Sequence, residues 1–372
     1  MVDILEEKRK GIAEKKTVLT NKKTGEMREY LLRTFRPGDE EGIRLCVQEE
    51  HGTSYFKKFF YDLKLLKEKA EGDEYIVFVA EENNEIAGVE ILRIFGKEGD
   101  DYIEPASQMI RKSHRGFGLS GTLVNYTFFV ARSLKPSALF VHTAMYHTIT
   151  QHVCEAYGME PIGYEIGSFL TEIMQNSYFL EGIKKYSAGT LCYPVEKRNA
   201  REIYLPTELA SYGKKVYEKI NVPCRIFTEH DVKNMSELTG EHKLFEDSKF
   251  IISKENEINR YITIDVKKVG DDFYEKIKEI MSEHVSEKKN PDGWVYHLIM
   301  DIDTPEFIEQ YKRLKNMGFF VGSIQPVCGI HERVFLYWLG DLELHMEQYV
   351  VTEKFDEVRK YINNFYEKRV MN

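Results

Sequence analysis

An α/β fold is what the sequence predicts, on three observations. Short apolar segments with the two-residue alternation of strands are interleaved with longer segments of helical period. Turn residues punctuate them, as in Arg36-Pro37-Gly38-Asp39 and Glu82-Asn83-Asn84-Glu85. The order strand, helix, strand, helix, strand also comes twice, over residues 102–170 and again over 261–339.

The elements follow in order. Residues 1–30 are polar and charged, a leader with one edge hairpin around the Lys-Lys-Thr-Gly turn at 22–25. Residues 31–35 alternate like a strand, and the turn at 36–39 opens a helix containing Ile43 and Leu45. A second helical stretch, 55–69, is dense in aromatics. Residues 76–80 and 86–94 form a hairpin about the two asparagines. A strand from Tyr102 to 110, a helix over 122–133, a short strand at 138–141, a helix over 150–157 and a further strand complete the first part. Residues 171–250 read as a structured connector, since they lack the Gly/Ser or Pro-rich composition of a linker. Within and beside it, 169–185 has helical character, 191–195 reads as an edge strand because of Pro194, and 208–220 as a helix. The last part has strands at 261–266, 294–300, 320–324 and 334–339, with helices at 273–284 and 305–315.

Bulk properties narrow the function. The 372 residues suffice for two domains, with 42% hydrophobic, 30% charged and 13% aromatic side chains. A net charge of -9 argues against nucleic acid or an anionic membrane as partner, because both want a basic surface. It is compatible with a cationic amine. No apolar run approaches the roughly 18–20 residues of a membrane span. The N-terminal residues are too charged for a signal peptide. The cysteines at 46, 154, 192, 224 and 328 form neither a disulfide framework nor a Cys-x-x-Cys metal pattern, so a reducing cytoplasm is the expected setting.

The stretch around which the first part is organised is Gln108 to Gly121. An apolar run breaks into the turn Arg115-Gly116-Phe117-Gly118-Leu119-Ser120, and a helix follows at once. Glycines let a ligand approach the backbone, and the first free N–H groups and the dipole of the helix face negative charge. This is a phosphate cradle in outline. The competing reading is a solvated basic loop, since Arg111, Lys112 and His114 are adjacent.

Here the sequence resembles the GCN5-related N-acetyltransferase family. That family wraps the CoA pyrophosphate in an R/Q-x-x-G-x-G/A turn, which Arg115, Gly118 and Ser120 match, with Ser in the last place. Gly158-Met159 matches the Gly-Phe that ends a later helix of the family. The likeness covers about residues 31–170. The segments GTSYFKKFFYD, His147-x-x-Thr150-Gln151 and GFFVGSIQP are further similar to long bacterial members with a second, motif-less domain. The resemblance implies a mixed, mostly antiparallel sheet flanked by helices over 31–170, then a degenerate copy over 251–372. In place of the cradle that copy has Gly270-Asp271-Asp272, whose carboxylates would repel a pyrophosphate.

It also implies an acyl-CoA-dependent N-acyltransferase that uses acetyl-CoA, or another acyl-CoA, and a primary amine on a small molecule or protein. No metal is expected. The alternative is a silent module that senses acyl-CoA or binds a protein. The oligomeric state stays open between monomer and homodimer. Acyl transfer to an amine needs a base, a held carbonyl and a fate for the thiolate. The resemblance makes Glu104 the base, against a reading as a solvated strand residue, with Glu90 as the fallback. Cys154 stands where relatives carry a tyrosine acid, and Tyr157 lies one turn on, so either of these or no dedicated acid completes the step. Met109, Ile110 and Arg111 would offer backbone groups to pantetheine. Arg115 and the N–H groups of Gly116, Phe117, Gly118, Leu119 and Ser120 would meet the phosphates, Phe117 and Leu119 burying their side chains. His147 and Thr150 are expected at the cofactor or as helix caps. Tyr55, Tyr61 and Glu90 are expected at the acceptor.

Overall fold

The computed structural model describes residues 9–97, 100–173, 183–195, 199–233, 247–254, 256–285 and 289–369. It is a mixed α/β structure, mostly antiparallel, and the chain divides into two compact units, one through Val141 and one from His142.

In the first unit, β1 (Lys15–Thr20) and β2 (Met27–Thr34) form the hairpin expected near residue 22. The sheet continues through β3 (Tyr75–Glu82), β4 (Glu85–Lys97) and β5 (Asp100–Ile110), all antiparallel. Asn83 and Asn84 turn the β3–β4 hairpin at φ 50° and 64°, the left-handed pair that a two-residue connection between twisted strands requires. β6 (Ala138–Ala144) begins in this unit and runs parallel to β5.

Helix α1 (Glu40–His51) starts where Asp39 accepts the Arg36 N–H at 2.7 Å. Arg33 grips the same carboxylate with two bonds of 2.7 and 2.9 Å. The aromatic stretch is not one helix: a 3-10 turn (Lys58–Tyr61) precedes α2 (Leu63–Glu71), and Asp62 between them accepts from Lys64 N and Leu65 N at 3.0 Å. One face of β3 and β4 packs on α1 and α2 through Ile43, Val47, Phe60, Leu66, Val77, Val79, Val89 and Ile91. Helix α3 (Leu119–Ser133) packs against β4 and β5.

The second unit holds α4 (Ile149–Ala156), β7 (Glu160–Leu170) and β8 (Lys185–Pro194). β9 (Arg201–Tyr204) and β10 (Cys224–Phe227) form a separate parallel pair joined by α5 (Thr207–Ile220). After them come β11 (Lys249–Ser253), β12 (Tyr261–Lys268), α6 (Phe273–Ser282), β13 (Val295–Asp301), α7 (Glu306–Asn316), β14 (Phe320–Cys328), β15 (His331–Trp338) and α8 (Glu353–Glu367). Its strands lie in the order β8-β7-β14-β15-β13-β12-β11, with β12 and β13 parallel. β7 and β14 meet where Gly163 is in register with Ser323; a Cβ on Gly163 would stand 2.2 Å from the Ser323 Cβ, so only glycine permits that approach.

Two expectations change. Phe169 and Leu170 end β7 and Lys185 opens β8, so no helix covers the ends of 169–185, and residues 174–182 lie outside the described residues. β8 is buried along nearly its whole length, so it has the character of an interior strand; Pro194 is tolerated because it is the last residue.

Candidate active site

The cradle turn comes first. Gly116 and Gly118 have φ of 88° and 79°, and Gly118 occupies the left-handed region at the N-cap of α3. No side chain caps this helix start. A Cβ built on Gly118 or Gly121 meets nothing within 4 Å, so the first turn of α3 faces open space. The turn is braced from behind. Lys22 N donates to Gly116 O at 3.3 Å, and the Arg28 guanidinium lies 4.6 Å from the centre of the Phe117 ring. Phe117 and Leu119 are buried, which leaves only their backbone for a ligand.

The two arginines beside the turn are engaged, and Lys112 is exposed. Arg115 pairs with Glu50 and donates from Nε to Ile110 O at 3.2 Å. Arg111 pairs with Glu49 at 2.8 Å. His114 is buried against the Tyr30 hydroxyl at 3.2 Å, and burial lowers its pKa, followed by the charge of Arg28. The local positive potential facing an anion therefore comes first from the open N–H groups of α3.

Strand β5 supplies the second part. Its parallel ladder with β6 is registered at Ile103–Leu139 alone among the described residues. Met109 points into the core of α1 and α2, Ile110 pairs with Gly88 on β4, and Arg111 N donates to Ala87 O at 2.9 Å. Between Met109, opposite Val89, and Ala106, opposite Ile91, the strand carries a bulge: Ser107 and Gln108 together oppose Glu90. Ser107 has φ 56°.

The bulge sends two side chains to opposite faces. Ser107 Oγ hydrogen-bonds the Tyr55 hydroxyl at 2.7 Å on the side of α1. Tyr55 stacks on His51 with ring centres 4.6 Å apart, and its backbone N–H donates to the Tyr61 hydroxyl at 3.1 Å. Burial pushes the Tyr55 phenol up, and the charge of Glu104 adds to that. Ser107, Tyr55, Tyr61 and His51 thus form one partly buried group, and Glu104, in register with Arg93 on β4, lies near enough for its charge to act on Tyr55.

Gln108 takes the other face. Its Nε2 donates to Glu90 Oε2 at 3.2 Å and to Ser120 O at 3.0 Å, while its Oε1 accepts from Ser120 Oγ at 2.7 Å. Glu90 is only 3% exposed and its carboxyl also meets Thr127 of α3; burial pushes its pKa up to about 8. The structure therefore does not bring Glu90 to Tyr55 and Tyr61, with which the sequence groups it. Ser107, Gln108 and Thr127 carry no signal in the sequence, because a bulge on a serine lacks the glycine that would announce it.

The remaining expected residues lie in the second unit. Thr148 stands at the N-cap of α4, with no side-chain bond, so Thr150 lies inside the helix and does not cap it. The carbonyl of His147 accepts from Gln151 Nε2 at 2.9 Å. Gln151 is fully buried and is the hub here: Nε2 also donates to Ala144 O and Val350 O at 3.1 and 2.9 Å, and Oε1 accepts from Thr352 N at 2.9 Å. Cys154 is buried and Tyr157 half-buried at the end of α4. Among the described residues, Asp301, Asp303 and His331 bring metal-ligating atoms together. His331 Nδ1 lies 2.9 Å from Asp303, and Arg333 Nε lies 3.2 Å from Asp301, so the group is an ion-pair network with its own cation.

No known protein family and no curated protein matches the sequence. Solved structures of acetyltransferases do match part of it. A spermidine/spermine N-acetyltransferase of Vibrio cholerae is 19% identical, over 45% of this chain and 92% of its own, with a TM-score of 0.36. A GNAT family acetyltransferase of Elizabethkingia anophelis, solved with acetyl-CoA bound, is 16% identical over 44% and 97%, TM-score 0.34. The ribosomal-protein-S18-alanine N-acetyltransferase of Escherichia coli is 10% identical over 46% and 96%, TM-score 0.36. These neighbours cover under half of the chain, and the functional reading rests on the residues above.

Proposed function

We propose that the first unit binds an acyl-CoA at the turn before α3 and transfers its acyl group directly to a primary amine. The observation that carries this reading is the first turn of α3, open to solvent on a left-handed Gly118 with no side-chain cap. A helix start of this kind stabilises phosphate through backbone N–H groups and dipole. Arg115, tied to Glu50 and Ile110 O, braces the turn. The single registered pair of β5 with β6 leaves room for an extended ligand to meet the backbone near Met109 and Ile110, while Arg111 N is already bonded to Ala87 O and Ile110 O to Arg115.

Glu104 is the base in this reading. It takes a proton from the ammonium, the amine nitrogen then attacks the thioester carbonyl carbon, and the C–S bond breaks on collapse of the tetrahedral intermediate. The attacking nitrogen loses its second proton to solvent as the amide forms, and the departing CoA thiolate takes a proton from solvent, so no dedicated acid is needed. Tyr55 and Tyr61 line the acceptor side beside Glu104, where an ammonium gains from both the carboxylate and the aromatic faces. The test is thioester cleavage with acetyl-CoA across a panel of amines, from polyamines and amino acids to peptide N-termini. Amine-dependent release of CoA thiol supports the reading. Binding of acetyl-CoA without turnover by any amine would make the unit a sensor.

A further inference from the structure

We propose that acyl-CoA binding to this protein is linked to a proton held on Glu90: the carboxyl beneath α3 must be neutral when phosphate occupies the first turn of that helix. The proposal rests on the acyl-CoA reading above and adds to it a regulation of the same site.

The geometry is a two-bond path. From the sealed Glu90 carboxyl, one hydrogen bond of 3.2 Å reaches Gln108 Nε2, and bonds of 3.0 and 2.7 Å tie the Gln108 amide to Ser120. Ser120 is exposed, in the first turn of α3, where the anion would sit. A carboxylate at the inner end of this path faces a phosphate at the outer end across the body of one glutamine side chain.

Among the described residues, no charged group acts on the Glu90 carboxyl. Thr127 approaches Glu90 from α3, Gln108 from β5, and Phe78 is its registered neighbour on β3. The groups acting on its ionisation are burial, Thr127 and Gln108, none of them charged. The Thr127 hydroxyl lies 3.0 Å from Val124 O and also within reach of the carboxyl, and its bond to Glu90, like that of Gln108, favours the charged form against the larger effect of burial. Of the titratable groups around the turn, Arg115, Arg111 and His114 have partners in Glu50, Glu49 and Tyr30, while the Lys112 side chain is exposed to solvent. A carboxylate sealed from solvent is poorly screened from a phosphate at the open helix start, and of the two charges Glu90 is the one that can be shed by taking a proton. Glu90, near 8 before any ligand arrives, is already mostly protonated at neutral pH and takes the proton from solvent at mildly alkaline pH.

The test is isothermal titration of acetyl-CoA into the full chain at pH 7, 8.5 and 9, in two buffers of different ionisation enthalpy. The wild type should take up roughly half a proton or more on binding at pH 8.5 and lose about tenfold in affinity from pH 7 to pH 9, the ratio of protonated fractions for a group near 8. Glu90→Gln, a neutral isostere, should bind with the pH 7 affinity throughout and take up no such proton. A merely structural role for Glu90 would alter affinity without altering proton uptake. Binding without proton uptake, or the same uptake in Glu90→Gln, overturns the linkage and leaves the acyl-CoA reading standing. No binding at any pH overturns both. The wild-type proton count stands even if the variant does not fold.

Discussion

Two regions of the chain are built from the same parts and end differently. In each, a strand leads through a turn into a helix and then to a parallel strand: β5, α3 and β6 in the first, β12, α6 and β13 in the second. In the first, the parallel pair is registered only at Ile103–Leu139, and the turn is Arg-Gly-Phe-Gly with open space above Gly118. In the second, the ladder runs from Tyr261–Val295 to Asp265–Ile299. Its turn is also filled: Asp272 accepts from Ser248 N at 2.8 Å and pairs with Lys276 at 2.6 Å, and Gly270 N donates to Ser248 Oγ at 2.8 Å. Neither helix start carries a side-chain cap bond; the difference is that α3 begins on an exposed glycine, whereas α6 begins on the Asp272 carboxylate, tied to Ser248 N and Lys276. The two regions differ in how far the strands zip and in whether a glycine or a carboxylate stands at the helix start.

That contrast can be broken by removing chemistry from the open region. Glu104→Gln should lower amine-dependent turnover by about 10²–10⁴-fold, the range for loss of a positioned general base, with acetyl-CoA affinity held within about threefold. Steady-state kinetics beside a binding titration read both. An equal loss of affinity would move Glu104 from base to binding group.

Filling the open space comes next. Gly118→Trp should weaken acetyl-CoA by about a hundredfold or more. Gly118→Asn, whose side chain tolerates the left-handed region, should stay within about tenfold. If both variants lost affinity equally, backbone strain and not occlusion would be the cause.

A stability prediction sharpens the account of Glu90. Its folded pKa lies above that of an unfolded glutamate, about 4.3, so the folded state binds more protons between that value and about 8. Wild-type stability from this group is therefore lost as pH rises through that window. Glu90→Gln should gain in urea midpoint over wild type as pH goes from 5 to 8, and the gap should level off above. A constant gap at all pH would mean the carboxyl is ionised throughout.

The smallest effect is expected from the closed region. Asp272→Ala removes the acceptor of Ser248 N and the partner of Lys276 and should lower the urea midpoint slightly while leaving acetyl-CoA affinity unchanged. Lys276 and the Ser248 N–H hold the Asp272 pKa down to about 2. Its contribution is thus present above the unfolded value near 3.9 and is lost as pH falls through about 2. Raised acetyl-CoA stoichiometry in this variant would show that the carboxylate alone keeps the second region shut.

Much of this contrast was legible in residues and the rest was not, for a physical reason. The strand and helix order of both regions followed from periodicity, and the glycine turn announced itself because Gly118 needs a left-handed backbone. Gly158 and Gly318, at φ 82° and 93°, end α4 and α7 in the same readable way. The bulge at Ser107 left no trace, since its φ of 56° falls on a residue that sequence rules do not associate with it. Strand alternation put Glu90 on one face of β4 without saying that α3 covers that face. The partners of Arg115 and Gln151 are remote in sequence, Glu50 for the first and Val350 and Thr352 for the second, and no local pattern encodes them.

The most direct test of the account is the stoichiometry of acetyl-CoA in a calorimetric titration of the full chain, wild type against Gly118→Trp. One site per chain, lost in the variant, is what an open first turn and a closed second turn predict. Two sites in the wild type, or one site untouched by Gly118→Trp, would contradict it.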